Sequence, residues 1–360
     1  VIINFVLPFL DQRPSGGYRI VYEYANRLSE RGHDVVIYYP LITPSDDRDK
    51  EMLMKKLFYC IRTSFPQEFD SDWFKFSGNV RQFGVPEISD MHLRDSDVII
   101  ATAWTTSYLI NNLAATKGIK YYLIQHHESL NMSSPGIVDK TYSLGLNNIV
   151  ISMWLKNLLN SIGAPVAAHI PNGIDLHVFS ARKPINNRNP LSIAMMYHLS
   201  SWKGIQDGIA ALVIVKHKYP NLKVSFFGAF EKEADVPDWV QYFYCPSRSD
   251  LCNIYNEHAI FMSPSWSEGF GLPGAEAMAC GCALVTTDNS GVRDYAQHEQ
   301  TALLSKPKGH PKELAANIIY LLENNDFRIA IAERGRQYIQ RFTWDSAVLQ
   351  MEQLIGRGAK

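Results

Sequence analysis

Residues 259–276 read AIFMSPSWSEGFGLPGAE. The apolar run Ala259–Ser263 has the look of a buried strand, and the turn after it carries Trp266, Ser267, Glu268 and Gly269. A short helix is expected to begin near Pro273, since proline is tolerated in the first turn of a helix. Glu268 then lies in the loop and Glu276 in the first turn, so that both carboxylates look into one pocket. The backbone N–H groups from Phe270 to Gly274 point the same way, and helix amino termini hold anions well. Carboxylates for hydroxyls beside amides for phosphate suit a sugar nucleotide. A glutamate pair for general acid and base work is the other chemistry open to them. The same stretch matches G-x-G-x-x-G at Gly269, Gly271 and Gly274, with Asp288 beyond the next strand, which is the outline of a dinucleotide-binding fingerprint. The helix is only about two turns long, Pro273 interrupts the glycines, and a dehydrogenase would leave both glutamates unused. An NAD-dependent oxidoreductase is therefore the distant alternative.

Outward from this stretch, short apolar runs alternate with helical patterns. Val1–Leu7, Asp34–Tyr39, Asp97–Thr102, Lys120–Gln125 and Asn148–Ser152 are expected strands of a parallel sheet. Between the first two, Val21, Tyr24, Ala25 and Leu28 recur at helical spacing within Tyr18–Arg31. A second series runs through Leu191–Met196, Lys223–Gly228, Val240–Tyr244, Ala259–Ser263 and Ala283–Thr286, with helices at Ile205–His217 and Pro311–Glu323. Parallel neighbours need crossover helices, so the fold class is α/β: two Rossmann-like doubly wound domains facing a central cleft. Residues 1–172 form the expected first domain, 173–190 the linker and 191–342 the second domain. Residues 343–360 form a terminal helix returning to the first. The linker assignment rests on Pro171-Asn172-Gly173 and on the polar, proline-bearing stretch 181–190. Lys50–Gly84 interrupts the alternation with many aromatic residues. It is expected to hold a helix packing Leu53, Leu57 and Ile61 on the first sheet; peripheral membrane contact through residues 50–76 is the sharper alternative.

The chain has 360 residues, which leaves room for two domains at roughly 150 residues each. Its 35 Lys and Arg against 36 Asp and Glu, net charge −1, argue against a protein held to nucleic acid by its overall field. The hydrophobic share of 46% is that of an ordinary protein with a proper core. No apolar run approaches the roughly 20 residues of a membrane span, and Val1–Leu7 lacks the basic lead of a signal peptide. Five cysteines without framework spacing fit reduced thiols, with Cys280 and Cys282 as small core residues. The expected location is cytoplasmic, or peripheral on the inner face of the membrane.

Three further places belong at strand ends of such a fold. Arg13-Pro-Ser-Gly16-Gly17 leads from the first strand into the first helix, and the paired glycines let a backbone approach a phosphate. The strand Lys120–Gln125 ends in His126, His127 and Glu128. The strand Leu191–Met196 runs into Tyr197, His198 and then Lys203-Gly204, where the lysine is a candidate partner for a diphosphate. No H-x-x-x-H and no clustered cysteines are present, so no metal is expected. The D-x-D pairs Asp47/Asp49, Asp70/Asp72 and Asp95/Asp97 arise easily by chance in acidic loops.

The stretch Glu268–Gly281, with its E-x7-E signature from Glu268 to Glu276, resembles family 4 of the glycosyltransferases, as do Pro171-Asn172-Gly173-Ile174-Asp175 and Ser15-Gly16-Gly17. The resemblance covers nearly the whole chain. It implies the GT-B fold and a retaining transferase that moves a sugar from a nucleoside diphosphate to an acceptor hydroxyl, without a cofactor or metal. The acceptor would be a glycan or a lipid-linked sugar, with no nucleic acid partner, and bacterial surface polysaccharide synthesis the setting, a rhamnosyltransferase-like member among the options. By this likeness Glu276 holds the donor ribose and Glu268 lies by the sugar ring. Phe270, Gly271 and Leu272 offer backbone N–H groups, Lys203 binds the diphosphate and Gly17 approaches it. One of His126 and His127 touches the sugar.

One departure stands out. The family places an arginine five or six residues before the lysine, where this chain has His198 and Tyr197. An arginine is always charged and binds two oxygens at once, whereas histidine titrates near neutrality. Either His198 acts as a weaker donor, or Arg248 or Arg293 supplies the second cation. A third alternative is a non-catalytic nucleotide-sugar-binding subunit.

Overall fold

Each apolar run becomes a parallel strand because a strand covered on both faces needs apolar side chains at every position. The structure, a computed structural model, describes residues 1–10, 13–41, 67–129 and 136–358. By its contacts the chain divides into two units, Val1–Pro171 with Asp345–Lys360, and Asn172–Trp344.

The first unit holds an eight-stranded sheet in the order β3-β4-β2-β1-β5-β6-β7-β8. Its strands are β1 (Ile2–Val6), β2 (Asp34–Pro40), β3 (Gln67–Glu68), β4 (Arg81–Val85), β5 (Val98–Ala101), β6 (Ile119–Ile124), β7 (Asn147–Val150) and β8 (Ala168–His169). All pairs are parallel except β3 with β4. Helix α1 (Gly16–Glu30) buries Val21, Tyr24, Ala25 and Leu28, the apolar face its spacing announces. Helices α2 (Trp104–Asn111), α3 (Gly136–Thr141) and α4 (Met153–Ser161) follow later strands.

At the end of Lys50–Gly84 stands a strand that the sequence reading did not mark, β4, which pairs with β2. Its sequence RQFGV has no apolar run to announce it. What places it is tertiary: Gln82 is buried and accepts from Tyr39 Oη at 2.6 Å, and Tyr39 Oη lies 2.8 Å from that of Tyr22. Trp73, Phe74 and Phe76 stack around Tyr22 of α1, with ring centroids 5.2–5.3 Å away. Leu53, Leu57 and Ile61 lie outside the described residues, as do Asp47 and Asp49.

The second unit holds a six-stranded, wholly parallel sheet in the order β11-β10-β9-β12-β13-β14. Its strands are β9 (Ser192–Met196), β10 (Lys223–Gly228), β11 (Val240–Tyr244), β12 (Ile260–Ser263), β13 (Ala283–Thr287) and β14 (Ala302–Ser305). Its helices are α5 (Ile205–Lys218), α6 (Arg248–Glu257), α7 (Leu272–Ala279), α8 (Pro311–Glu323) and α9 (Asn325–Ile339). Numbered within the unit, the strand order is 3-2-1-4-5-6, that of a dinucleotide-binding sheet, and it reverses between β9 and β12. Ligands of such sheets bind at the carboxyl ends of the two strands flanking that reversal.

Residues 173–190, the expected linker, pack into this second unit. Ile174 N–H donates to Phe342 O at 2.8 Å, Phe179 and Ile185 are buried, and a 3-10 turn spans Ile185–Asn187. Proline and polar residues there mark irregular backbone, which Asn256 ties down by accepting from the N–H groups of Arg182 and Lys183. The terminal helix α10 (Trp344–Gly358) lies almost wholly in the first unit, where Arg31 and His33 meet Glu352 at 2.6 and 2.8 Å. Among the described residues no helix is long and apolar enough to cross a membrane.

Candidate active site

Two loops leave the sheet where its order reverses, one after β9 and one after β12. The first closes with a 3-10 turn, Ser201–Lys203, and Gly204 at φ +63°. A Cβ on Gly204 would stand 2.1 Å from Pro264 O, so the first loop rests directly on the second. Trp266 N–H donates to Trp202 O at 2.7 Å, and Trp266 Nε1 donates to Asp207 on α5 at 2.8 Å. This contact sets Lys203 against Glu268, with Nζ 2.8 and 3.0 Å from the two carboxylate oxygens. Both side chains are mostly buried, at 18% and 12% exposed, so the pair is screened little by water.

Glu268 is held from behind as well. Its N–H donates to Asn289 O at 3.2 Å, and Gly291 passes so close that a Cβ there would lie 2.5 Å from Glu268 O. Gly271 caps α7 at φ +89°. Glu276 is the fifth residue of α7 and so lies in its second turn, not the first, because the helix starts at Leu272. It remains buried, with Tyr255 Oη at 3.4 Å. The amides also differ in part from expectation. Gly274 and Ala275 donate to Gly271 O at 3.1 and 3.4 Å, closing the first turn. The N–H groups of Phe270, Gly271 and Leu272, ahead of that turn, are the ones a helix start leaves for a ligand. Phe270 buries its ring against Tyr295 and Phe342, so only its backbone is available.

Tyr295 was not singled out by any motif. It is fully buried and donates to Gly271 O at 2.6 Å. A Cβ on Gly271 or on Gly274 would meet its hydroxyl at 2.8 Å. Burial first, then the charges of Glu268, Asp294 and Glu276, hold its phenol protonated. Tyr295 is thus the floor on which the glycine-rich turn lies. A tyrosine after a 3-10 turn carries no sequence signal for this; only the fold brings it under the loop.

The second cation does not emerge from the alternatives. His198 Nδ1 accepts from Ser200 N–H at 3.0 Å, which leaves the proton of a neutral ring on Nε2, and its ring stands edge-on to Phe230. Arg248 pairs with Asp175 at 2.7 Å, and Arg293 grips Asp288 through two bonds of 2.6 and 2.8 Å. Asp288 is thereby committed away from any ribose.

The remaining candidates belong to the first unit. Gly16 and Gly17 open α1 behind the N-cap Ser15 and are exposed. A Cβ on Gly17 would meet only the Gln125 side chain, at 3.8 Å. His126 and His127 follow β6, and the structure separates them. His127 is held by both ring nitrogens, Nε2 to Asp139 and Nδ1 to Ser129, each at 2.9 Å. His126 uses Nδ1 on the His127 carbonyl at 2.9 Å and sets its ring edge against Trp154. Next to them, Glu128 accepts from Trp104 N–H at 3.3 Å, while burial pushes its carboxyl from 4.5 up to about 7. A carboxyl raised on folding stabilises the fold fully below its unfolded value and loses that contribution as pH rises through about 7. Glu128→Gln should therefore be more stable than the parent at pH 8 and no more stable at pH 4. Melting curves across that range that run parallel for the two proteins would contradict this.

Among the described residues no three His, Cys, Asp or Glu side chains group as metal ligands would. Asp70 and Asp72 are exposed, Asp95 pairs with Lys117, and Asp97 accepts from the Ile2 N–H.

Two Rossmann-like sheets, with an anion-ready helix start and a lysine at the strand reversal of the second, define a GT-B fold. Solved structures share it over nearly the full chain. Sucrose-phosphate synthase (tll1590) of Thermosynechococcus elongatus superposes with a TM-score of 0.75 at 16% identity, covering 99% of this chain and 98% of that one. Anabaena Alr3699/HepE, solved in complex with UDP-glucose, superposes with a TM-score of 0.72 at 16% identity over the same shares. Residues 179–338, within this second unit, match the family described as glycosyl transferases group 1. A curated relative, the capsular polysaccharide biosynthesis glycosyltransferase CapM of Staphylococcus aureus, is 25% identical over 247 residues, 63% of each chain. The chain thus spans less than two thirds of that relative's length.

Proposed function

We propose that the protein is a retaining glycosyltransferase that moves a sugar from a nucleoside-diphosphate donor to a hydroxyl of a glycan or lipid-linked acceptor. The setting inferred is bacterial surface polysaccharide synthesis, in line with the name of the CapM relative. One observation carries the reading: Lys203 and Glu268 meet where the loops after β9 and β12 leave the strand reversal, a few residues ahead of the start of α7. The amides of Phe270, Gly271 and Leu272 and the Lys203 ammonium offer the diphosphate positive charge from two sides, with no divalent cation required. In this reading Glu276 takes the ribose hydroxyls and Glu268 the sugar. Without donor, Glu268 neutralises Lys203. With donor, the ammonium shifts its charge to the β-phosphate, and Glu268 is released to accept from sugar hydroxyls.

Retention without a protein nucleophile follows if the acceptor attacks the face that the nucleotide leaves. The bond from the anomeric carbon to the β-phosphate oxygen breaks, the new glycosidic bond forms, and a phosphate oxygen takes the acceptor proton. The chain's share is orientation and stabilisation of charge on the departing phosphate.

The test is a panel of nucleoside diphosphates and their sugars in a thermal-shift screen, followed by transfer and hydrolysis assays with and without chelator. Chelator-insensitive turnover supports the reading. The absence of a shift with every nucleotide sugar counts against it. A second reading, donor binding without transfer, is favoured by one feature: Arg248 and Arg293, the two arginines considered for a second cation, are both engaged by carboxylates. Tight binding with no turnover across the panel would establish it. Glu276→Ala should weaken donor binding by about tenfold or more, since buried contacts to hydroxyls are lost. Unchanged affinity by calorimetry would remove Glu276 from the site.

A further inference from the structure

Away from this site the second unit buries two arginines. Arg188 is 2% exposed and Arg328 fully buried, the bulkiest of the fully buried side chains. Arg188, just past the Ile185–Asn187 turn, donates from Nη1 to Tyr255 O at 3.2 Å and His258 O at 3.1 Å. From Nη2 it donates to Lys183 O, Asn256 Oδ1 and Cys280 O. Arg328, near the start of α9, donates from Nη2 to Asn325 Oδ1 at 2.8 Å. Arg328 Nε, Arg328 Nη1 and Arg188 Nε are buried and have no hydrogen-bond partner among the described residues.

Every oxygen these guanidiniums do bind is an uncharged carbonyl or amide. Guanidinium groups keep their proton in proteins, so two positive charges are buried within electrostatic reach of each other. The remaining group acting on Arg328 is the Cys282 thiol. It is not the missing negative charge. Its Sγ lies 3.0 Å from Tyr255 O and 3.4 Å from His258 O, contacts in which only a protonated thiol can donate. Burial, moreover, pushes the thiol up to about 11. A buried charge without a counter-charge, together with three unused donors, is costly on both counts.

We propose that a small monovalent anion, chloride in the first instance, binds beside Cys282 on Arg328 Nε and Nη1 and Arg188 Nε as an internal counter-ion. A nucleotide phosphate is excluded, because neither arginine opens to solvent enough to admit one. The site would brace three pieces of the unit. Arg328 belongs to α9, Arg188 to the 173–190 segment, and Arg188 Nη2 holds the carbonyl of Cys280, the C-cap of the helix that carries Glu276. The inference does not depend on the transferase reading, since it concerns stability and not turnover.

The test uses the whole chain, dialysed into sodium gluconate and titrated with sodium chloride or bromide at constant ionic strength and pH. Halide should raise the melting temperature, by about 5 °C at a hundredfold excess over Kd. Arg328→Met should abolish the response. A crystal soaked in bromide should show an anomalous peak within hydrogen-bonding distance of Arg328, a measurement that needs no variant. Melting that is the same in gluconate and halide overturns the proposal, as does bromide density absent from Arg328.

Discussion

Lys203→Ala is expected to lower turnover at least about a hundredfold, on the order of 3 kcal/mol of barrier, the usual loss when one preorganised donor to a developing charge is removed. The effect should be large here because Arg248 and Arg293 are both tied to carboxylates and cannot readily take over. Removing the lysine also leaves Glu268, with a side chain only 12% exposed, without its ammonium. Some stability will go with it, since breaking a buried pair strands the surviving charge. Pairing the change with Glu268→Gln separates the two effects. The double variant relieves the stranded charge and should recover stability without recovering turnover. Near-normal turnover in Lys203→Ala, with circular dichroism showing an intact fold, would reduce this lysine to a structural ion-pair partner.

Gly204→Ala should cost about 2–4 kcal/mol of stability and most of the activity of what remains folded. Its left-handed φ disfavours any side chain, and the added Cβ would lie 2.1 Å from the carbonyl oxygen of Pro264. That neighbour is backbone, so the clash cannot be relieved by turning a side chain. The loop bearing Lys203 and the loop bearing Glu268 must separate. Gly17→Ala is the contrasting case, since its Cβ would make only ordinary contact with Gln125 and the protein should fold as before. Denaturant titrations in which Gly204→Ala matches Gly17→Ala would show that the two loops do not depend on each other as their packing implies.

The parallel strands were legible because a strand buried on both faces must be apolar throughout, and β10 and β12 run through the residues where their side chains announce them. The α1 face was legible for the same kind of reason, a period set by local geometry. β4 was hidden because its stability comes from β2 and from the Tyr39–Gln82 bond, partners 43 residues apart. The 173–190 segment looked like a tether because prolines and polar side chains describe irregular backbone whether it is loose or anchored. Arg188 and Asn256 do the anchoring, and nothing in the order of residues pairs them.

The chain's own order of side chains settled which segments are strands and helices, and that a glycine-rich turn with two glutamates opens α7. Those are matters of dihedral preference and of burying one face, decided within a few residues. Folding alone decided that Lys203 meets Glu268, that Tyr295 supports Gly271, and that His127 is held by Asp139. Such partners lie in loops, turns and helices that follow different strands, and their distances follow from sheet order and loop packing, not from neighbouring residues along the chain.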